Sequence, residues 1–274
     1  MELNAENYYT NEADISYCSA SQFKNFFGEY GCEARALAEL KGEVERTVSD
    51  DMLLGSFVDC MLLEPDKEEQ FKEEHPEMYA KTGPTKGMLK SNFQRGIQMV
   101  SKAKADEKFM KYLAGDTQMI LTGNLFGVPI KVKMDSCNGK RITDLKTVAS
   151  IRKKVWTTAH GYTDFITAND YILQMAIYQE IYFQNFGKKL PCYIAALSKE
   201  PVTDIEIIQI PDNLMHERIY GNEFAPGIAA ELETLAKLKA GEAEPVPCGH
   251  CEYCLSKKKI AHPISLEELR GVIE

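Results

Sequence analysis

The chain has 274 residues, 44% hydrophobic and 27% charged, which is the balance of an ordinary globular protein with ample material for a core. Its net charge of −9 argues against a nonspecific nucleic-acid coat, which would be basic, but leaves room for an enzyme that meets DNA through bound cations and a local basic strip. No apolar run approaches a membrane span and the start, M-E-L-N-A-E-N-Y-Y-T, is no signal peptide, so the expected location is cytoplasmic and the eight cysteines are expected as thiols or metal ligands rather than disulfides.

Residues 19–40 read as helix, with Ser19 or Ser21 as cap and an interruption at Gly28 and Gly31. A second, largely apolar helix covers 50–63 and stops at Glu64-Pro65, and the polar stretch 66–87, with Pro76, Gly83 and Pro84, reads as a mobile loop. Helical spacing resumes over 89–113. The texture then changes to strands at 119–121, 127–134 and 140–146, followed by a helix over 168–186 closed by Gly187. Strands at 192–197 and 205–210 precede a long helix over 213–239, and Ser265 with Glu268 resembles a capping box. Helices, a hairpin, a crossover helix and further strands predict an α/β (α+β) mixed sheet with helices around it.

The most informative stretch is 128–147, V-P-I-K-V-K-M-D-S-C-N-G-K-R-I-T-D-L-K-T, read as two strands joined at Asn138-Gly139. Asp135 closes the first strand. Asp144 and Lys146, two apart on the second, share a face. Two carboxylates and an ammonium at one sheet edge suit Mg²⁺ or Mn²⁺ and the hydrolysis of a phosphodiester, although alternating charge on a hairpin is also what a solvated face looks like. Lys131, Lys133, Lys140, Arg141, Lys146, Arg152, Lys153 and Lys154 supply either a DNA-facing basic cluster or a charged, solvated edge.

Gln174 and Tyr178 lie one helical turn apart, able to contact a phosphate or water, or simply forming a polar stripe. Asp59 sits in the apolar L-L-G-S-F-V-D-C-M-L-L-E-P, where a charge is costly unless paired, metal-bound or facing solvent. Cys248-Gly-His-Cys251-Glu-Tyr-Cys254 is too dense in soft ligands to be accidental; three thiolates need a fourth ligand for tetrahedral zinc or a four-iron cluster, and His250 and His262 are nearby. There is no Walker A sequence, so the chain carries no motor.

Taken together, Asp135, then Asp144-Leu-Lys146-Thr147, then Gln174-x-x-x-Tyr178, with the upstream segment 55–65 ending L-L-E-P, resemble the PD-(D/E)xK nuclease core. The resemblance is to the RecE-like and YqaJ-like phage exonucleases and the related RecB-type iron–sulfur nucleases, and it spans about residues 16–254. It implies a restriction-endonuclease-like central mixed sheet flanked by helices. It implies one domain over 1–274, with a mainly helical part (1–115), the nuclease core (116–240) and a Cys-rich tail (241–274). It implies that Asp135, Asp144 and the carbonyl of Leu145 hold Mg²⁺ or Mn²⁺, that Lys146 acts on the attacking water, and that Gln174 and Tyr178 position DNA or that water. Asp59 stands where the family usually has histidine, so it would complete the metal shell as a third carboxylate. Cys32 would join Cys248, Cys251 and Cys254 around a 4Fe-4S cluster, with zinc as the alternative, and Arg35, one turn on, would reach a DNA phosphate unless it is a surface arginine. The implied activity is resection of double-stranded DNA ends in phage-type recombination, with a single-strand annealing protein as partner and a possible homo-oligomer. The rivals are an endonuclease with the same core and a catalytically idle, metal-stapled DNA-binding or assembly module.

Overall fold

The computed structural model describes residues 1–46, 48–260 and 262–270. Strands β1 (Asp116–Leu125), β2 (Val128–Cys137) and β3 (Ile142–Val148) follow one another, each antiparallel to the next. A small antiparallel hairpin follows, β4 (Val155–Thr157) with β5 (Gly161–Thr163). The chain then returns as β6 (Cys192–Ser198), parallel to β3, and β7 (Ile205–Ile210), antiparallel at the edge. The spatial order of the main sheet is β1-β2-β3-β6-β7. It is the mixed sheet flanked by helices that the element order led us to expect.

Ahead of the sheet come α1 (Asn11–Ser16), α2 (Ala20–Phe27), α3 (Glu33–Leu40), α4 (Asp50–Leu63), α5 (Glu68–Glu74), α6 (Ser91–Lys104) and α7 (Glu107–Leu113). Between β5 and β6, α8 (Phe165–Ala168) and α9 (Tyr171–Phe186) make the crossover that a parallel pair requires. After β7 come α10 (Asp212–Tyr220), α11 (Ala229–Ala240), α12 (Glu252–Lys257) and α13 (Leu266–Leu269), the last with the expected reciprocal Ser265–Glu268 capping box. No helix among the described residues is long and apolar enough to cross a membrane.

The sheet is buried on both faces. Ile130, Val132 and Met134 of β2, with Ile142 and Ile194, pack against α2, α9, α10 and α11. Leu145 of β3, with Ala195 and Leu197 of β6, packs against α4, α6 and α7. Helix α4 is well started, its cap Ser49 accepting from the Met52 N–H and acidic Asp50 and Asp51 in the first turn, and it ends where Pro65 would remove a donor.

Several expected boundaries move for identifiable reasons. The 66–87 stretch is not a bare loop: Pro65 and Pro76 each start a 3₁₀ turn and α5 lies between them. The expected helix over 89–113 breaks at Asp106, whose side chain caps α7. The long helix expected over 213–239 is two, α10 and α11, because Gly221 takes a φ of +80° and the chain turns back on itself there. Asn138 and Gly139 do turn the chain, but within a four-residue loop in which Asn138 Oδ1 accepts from the N–H groups of Lys140 and Arg141. The tight two-residue hairpin is instead the one between β1 and β2, at Phe126 (φ +50°) and Gly127 (φ +86°).

One departure from ideal pairing makes the site. β2 and β3 pair only at Ser136–Thr143 and Cys137–Ile142, then part like a fork. At the far end of the gap the amino-terminal segment steps in: the Cys18 N–H donates to the Pro129 carbonyl and the Lys131 N–H to the Cys18 carbonyl, both at 2.8 Å. Between these closures the facing edges of β2 and β3 are left free.

Candidate active site and thiolate centre

The facing edges are taken up by side chains, that of β3 by Asp135 of β2 and that of β2 by Tyr178 of α9. Asp135 Oδ2 accepts from the Leu145 N–H at 2.8 Å. A strand residue presents its N–H and C=O to the same side, so the Leu145 carbonyl points into the fork as well. Asp144 is buried; its Oδ1 accepts from Gln174 Nε2 at 2.7 Å, and its Oδ2 lies 2.6 Å from Lys146 Nζ. That oxygen is buried, and its partner is the Lys146 ammonium. Strand alternation does place Asp144 and Lys146 together, but not on a solvated edge.

Gln174 and Tyr178 do not reach outward for substrate. Both are buried, and Gln174 Nε2 also donates to the Tyr178 hydroxyl (3.0 Å), which in turn donates to the Lys133 carbonyl (2.9 Å). Lys24 of α2 donates to Gln174 Oε1 at 3.4 Å, so the amide has its oxygen toward the lysine and its NH₂ toward Asp144. Burial and the neighbouring Lys146 charge bring the Lys24 pKa down to about 8. Nothing in the sequence around Lys24 marks it; its role is visible only once α2 lies against α9.

Asp59 faces the same cavity from α4. This cavity, about 710 Å³, is also lined by Tyr8, Tyr9, Arg46, Glu64 and Lys133. Burial first, then the Asp135 carboxylate, push Asp59 well above the usual carboxylate range. Burial, then Asp144, push Asp135 up to about 7. Burial works to strip the proton from Lys146, but Asp144 and Asp135 more than offset it, and the ammonium is held above its usual pKa. Two acids resisting ionisation beside a fixed ammonium form a site short of positive charge.

The donors fit a hard divalent cation: carboxylate oxygens, those of Asp144 buried, and a strand carbonyl beside them. The carboxylates of Asp59, Asp135 and Asp144 do not, however, all close to within 4.8 Å of one another as the thiolates below do. Asp135 is turned to Leu145 and Asp144 to Gln174 and Lys146, yet the two carboxylates still press on each other.

The expected basic cluster divides. Lys131, Lys133 and Lys146 line the cavity. Arg141 stacks on Tyr112, while Arg152 pairs with Asp204 and Glu206 and Lys153 with Glu200. Arg35 stays outside the cavity, its guanidinium given to the Tyr30 carbonyl at 2.9 Å and to Glu39. It therefore does not stand ready for a phosphate at the acids.

The second site joins the ends of the chain. Gly31 lets the chain fold tightly after α2, since a Cβ there would stand 2.7 Å from the Phe26 carbonyl oxygen, and it delivers Cys32 to the start of α3. Cys32 Sγ lies 3.6 Å from Cys254 Sγ and Cys248 Sγ 3.9 Å from Cys254 Sγ; all four sulfurs, with Cys251, fall within 4.8 Å of one another. The Cys251 N–H donates to Cys248 Sγ at 3.3 Å, and backbone N–H groups from His250 and Cys251 bring the Cys248 thiol down to about 6. His250 turns to the Cys248 carbonyl, and the fourth group beside the three tail thiols is the Cys32 sulfur. Cys18, Cys60, Cys137 and Cys192 are buried and free.

Tyr8, Tyr9 and Lys24 are the cavity's neighbours that the sequence reading passed over. The Tyr-Tyr pair just ahead of the Thr10 helix cap was the available signal, but nothing local says that it folds over a strand more than a hundred residues on.

A family described as a PDDEXK-like domain of unknown function (DUF3799) matches residues 19–257. A crystal structure from Eubacterium rectale, described as a "Putative exonuclease", aligns with a TM-score of 0.89 at 38% identity over 100% of both chains. No curated protein matches the sequence. The forked mixed sheet between two helical layers is the restriction-endonuclease-like arrangement.

Proposed function

The chain belongs to the PDDEXK-like DUF3799 family, and we propose that it is a divalent-metal-dependent exonuclease that resects the ends of linear double-stranded DNA. The observation that carries this reading is the fork, where Asp135, Asp144 and the Leu145 backbone come together beside the Lys146 ammonium, which lies 2.6 Å from Asp144 Oδ2. Those three would hold Mg²⁺ or Mn²⁺, with Asp59 as a further carboxylate. Such an ion supplies a water of lowered pKa and neutralises charge building on the scissile phosphate.

The chain's own groups do the rest. Lys146 stays protonated beside Asp144, so it acts as a hydrogen-bond donor and fixed charge toward the attacking water or a phosphoryl oxygen, not as a base. Gln174, oriented by Lys24, holds Asp144, and Tyr178 ties α9 to β2, so these two set the acids rather than touch DNA. End-directed action is supported by the description of the E. rectale relative. A single strand left by resection is the substrate of an annealing protein, which is the partner this activity calls for.

The thiolates would bind one metal centre that staples α3 to the tail. Sulfurs around one tetrahedral zinc at a bond length of about 2.3 Å stand about 3.8 Å apart. The separations of 3.6 and 3.9 Å favour that arrangement over the four-iron cluster expected from sequence, whose irons and sulfides would hold the thiolates farther apart.

The test is digestion of end-labelled linear duplex beside a covalently closed circle, with Mg²⁺ or Mn²⁺ and with chelator. The expected result is shortening of the linear DNA alone, and only with metal. Cleavage of the circle would instead favour an endonuclease, and binding without hydrolysis an idle module.

A further inference from the structure

The mouth of the cavity carries an aromatic ring that the chemistry above does not use. Tyr9 is 71% exposed at the cavity, yet the segment that holds it is firmly anchored. Lys131, itself only 1% exposed, donates from Nζ to the Tyr8 carbonyl (2.5 Å) and to Asp14 (2.6 Å) and sits over the Tyr8 ring. Lys239 donates to the carbonyls of Asp14 and Tyr17, each at 2.8 Å. Tyr8 is buried and meets Tyr9 edge-on, with centroids 4.9 Å apart and planes at 84°. Lys133 Nζ lies 5.0 Å from the Tyr9 ring centre.

The buried Lys131 and the half-buried Lys239 thus anchor the segment that carries this ring. An exposed, rigidly held aromatic with an ammonium beside it suits a nucleobase and its phosphate, because every base has a π-face and stacking costs little where the ring is already fixed. We propose that Tyr9 is a stacking platform for a nucleobase next to the scissile phosphate, with Lys133 pairing that nucleotide's phosphate. The proposal rests on the nuclease reading and names how the cleft grips the strand end without regard to its sequence.

The test uses the full chain and a linear duplex carrying 2-aminopurine at its terminal position, titrated with Ca²⁺ in place of Mg²⁺ so that binding is read without cleavage. Wild type should quench the fluorophore. Tyr9→Ala should lose the quenching and bind roughly ten- to a hundredfold more weakly, the range for one stacked base. Tyr9→Phe should keep both, since the ring and not the hydroxyl does the work. In Mg²⁺, Tyr9→Ala should raise KM while kcat stays within about threefold, a split that a merely structural tyrosine would not give. Wild type that binds and cuts ends, with Tyr9→Ala quenching and binding equally well, overturns the platform and leaves the nuclease intact. Tyr9→Phe failing like Tyr9→Ala overturns it too. Wild type that neither binds nor cuts overturns the nuclease reading itself.

Discussion

The acid fork and the thiolate quartet are built in opposite ways. Asp135, Asp144 and Lys146 come from adjacent strands, and each charged group there already has a protein partner: Asp135 the Leu145 N–H, Asp144 the Gln174 amide and the Lys146 ammonium. The four cysteines come from α3 and the tail, yet their sulfurs are in contact and have little but one another. Nearness in sequence therefore does not set how tightly ligand atoms sit. What sets it is whether the protein offers them other partners. On the proposed reading the fork would keep its shape without an ion, whereas the quartet, with few such partners, would make its ion part of the fold.

The sharpest way to break this contrast is at the fork. Asp144→Asn and Lys146→Ala should each cut end-label release by about a thousandfold, since each removes charge at the reacting phosphate. Asp144→Asn keeps the shape of the side chain and an oxygen for Gln174, so its melting temperature should stay within a few degrees of wild type. A large loss of stability with retained activity would reverse the roles assigned to the two regions.

At the quartet the expectation is the reverse. Cys32→Ser should lower the melting temperature by roughly 10 °C, as expected for losing a link that closes so long a loop in a chain of this size. The protein that remains folded should still cut DNA. Elemental analysis should find one zinc per chain; four irons with acid-labile sulfide would replace the single ion by a cluster.

The smallest effect is in pH. Asp135 has a folded pKa of about 7 against an ordinary 3.8, so between these values the native state binds more protons than the unfolded one. Stability contributed by this site is then greatest below about pH 4 and declines as pH rises to 7. Thermal melts in chelator should show this decline, and Mg²⁺ should flatten it by replacing the proton with a cation. A chelated protein that gains stability across that window through the site would contradict the crowded-acid picture.

Much of the site was legible because its logic is local. Period-two alternation put Asp144 beside Lys146, and a helical turn put Gln174 beside Tyr178. The triplet of tail cysteines announced a metal by density alone. What was not legible depends on long-range packing: that the strands part after Cys137, that Cys18 fills the gap, and that Lys24 orients Gln174. The β4–β5 hairpin escaped notice because its residues carry no apolar alternation; Trp156 and Tyr162 pair across it with both rings exposed. The division between α10 and α11 was a misreading of available signals, since Gly221, Pro226 and Gly227 stand within the supposed helix.

The partnership of Cys32 with Cys254 also has a temporal side. Chains emerge from the ribosome amino terminus first and fold as they appear. Both prongs of the fork and the helix bearing Gln174 are complete long before the three tail cysteines are made. The thiolate group thus comes together only after the fork is made. If it holds the metal proposed for it, a cell short of that metal would accumulate chains whose acids are assembled but whose α3 and Cys-rich segment are not joined.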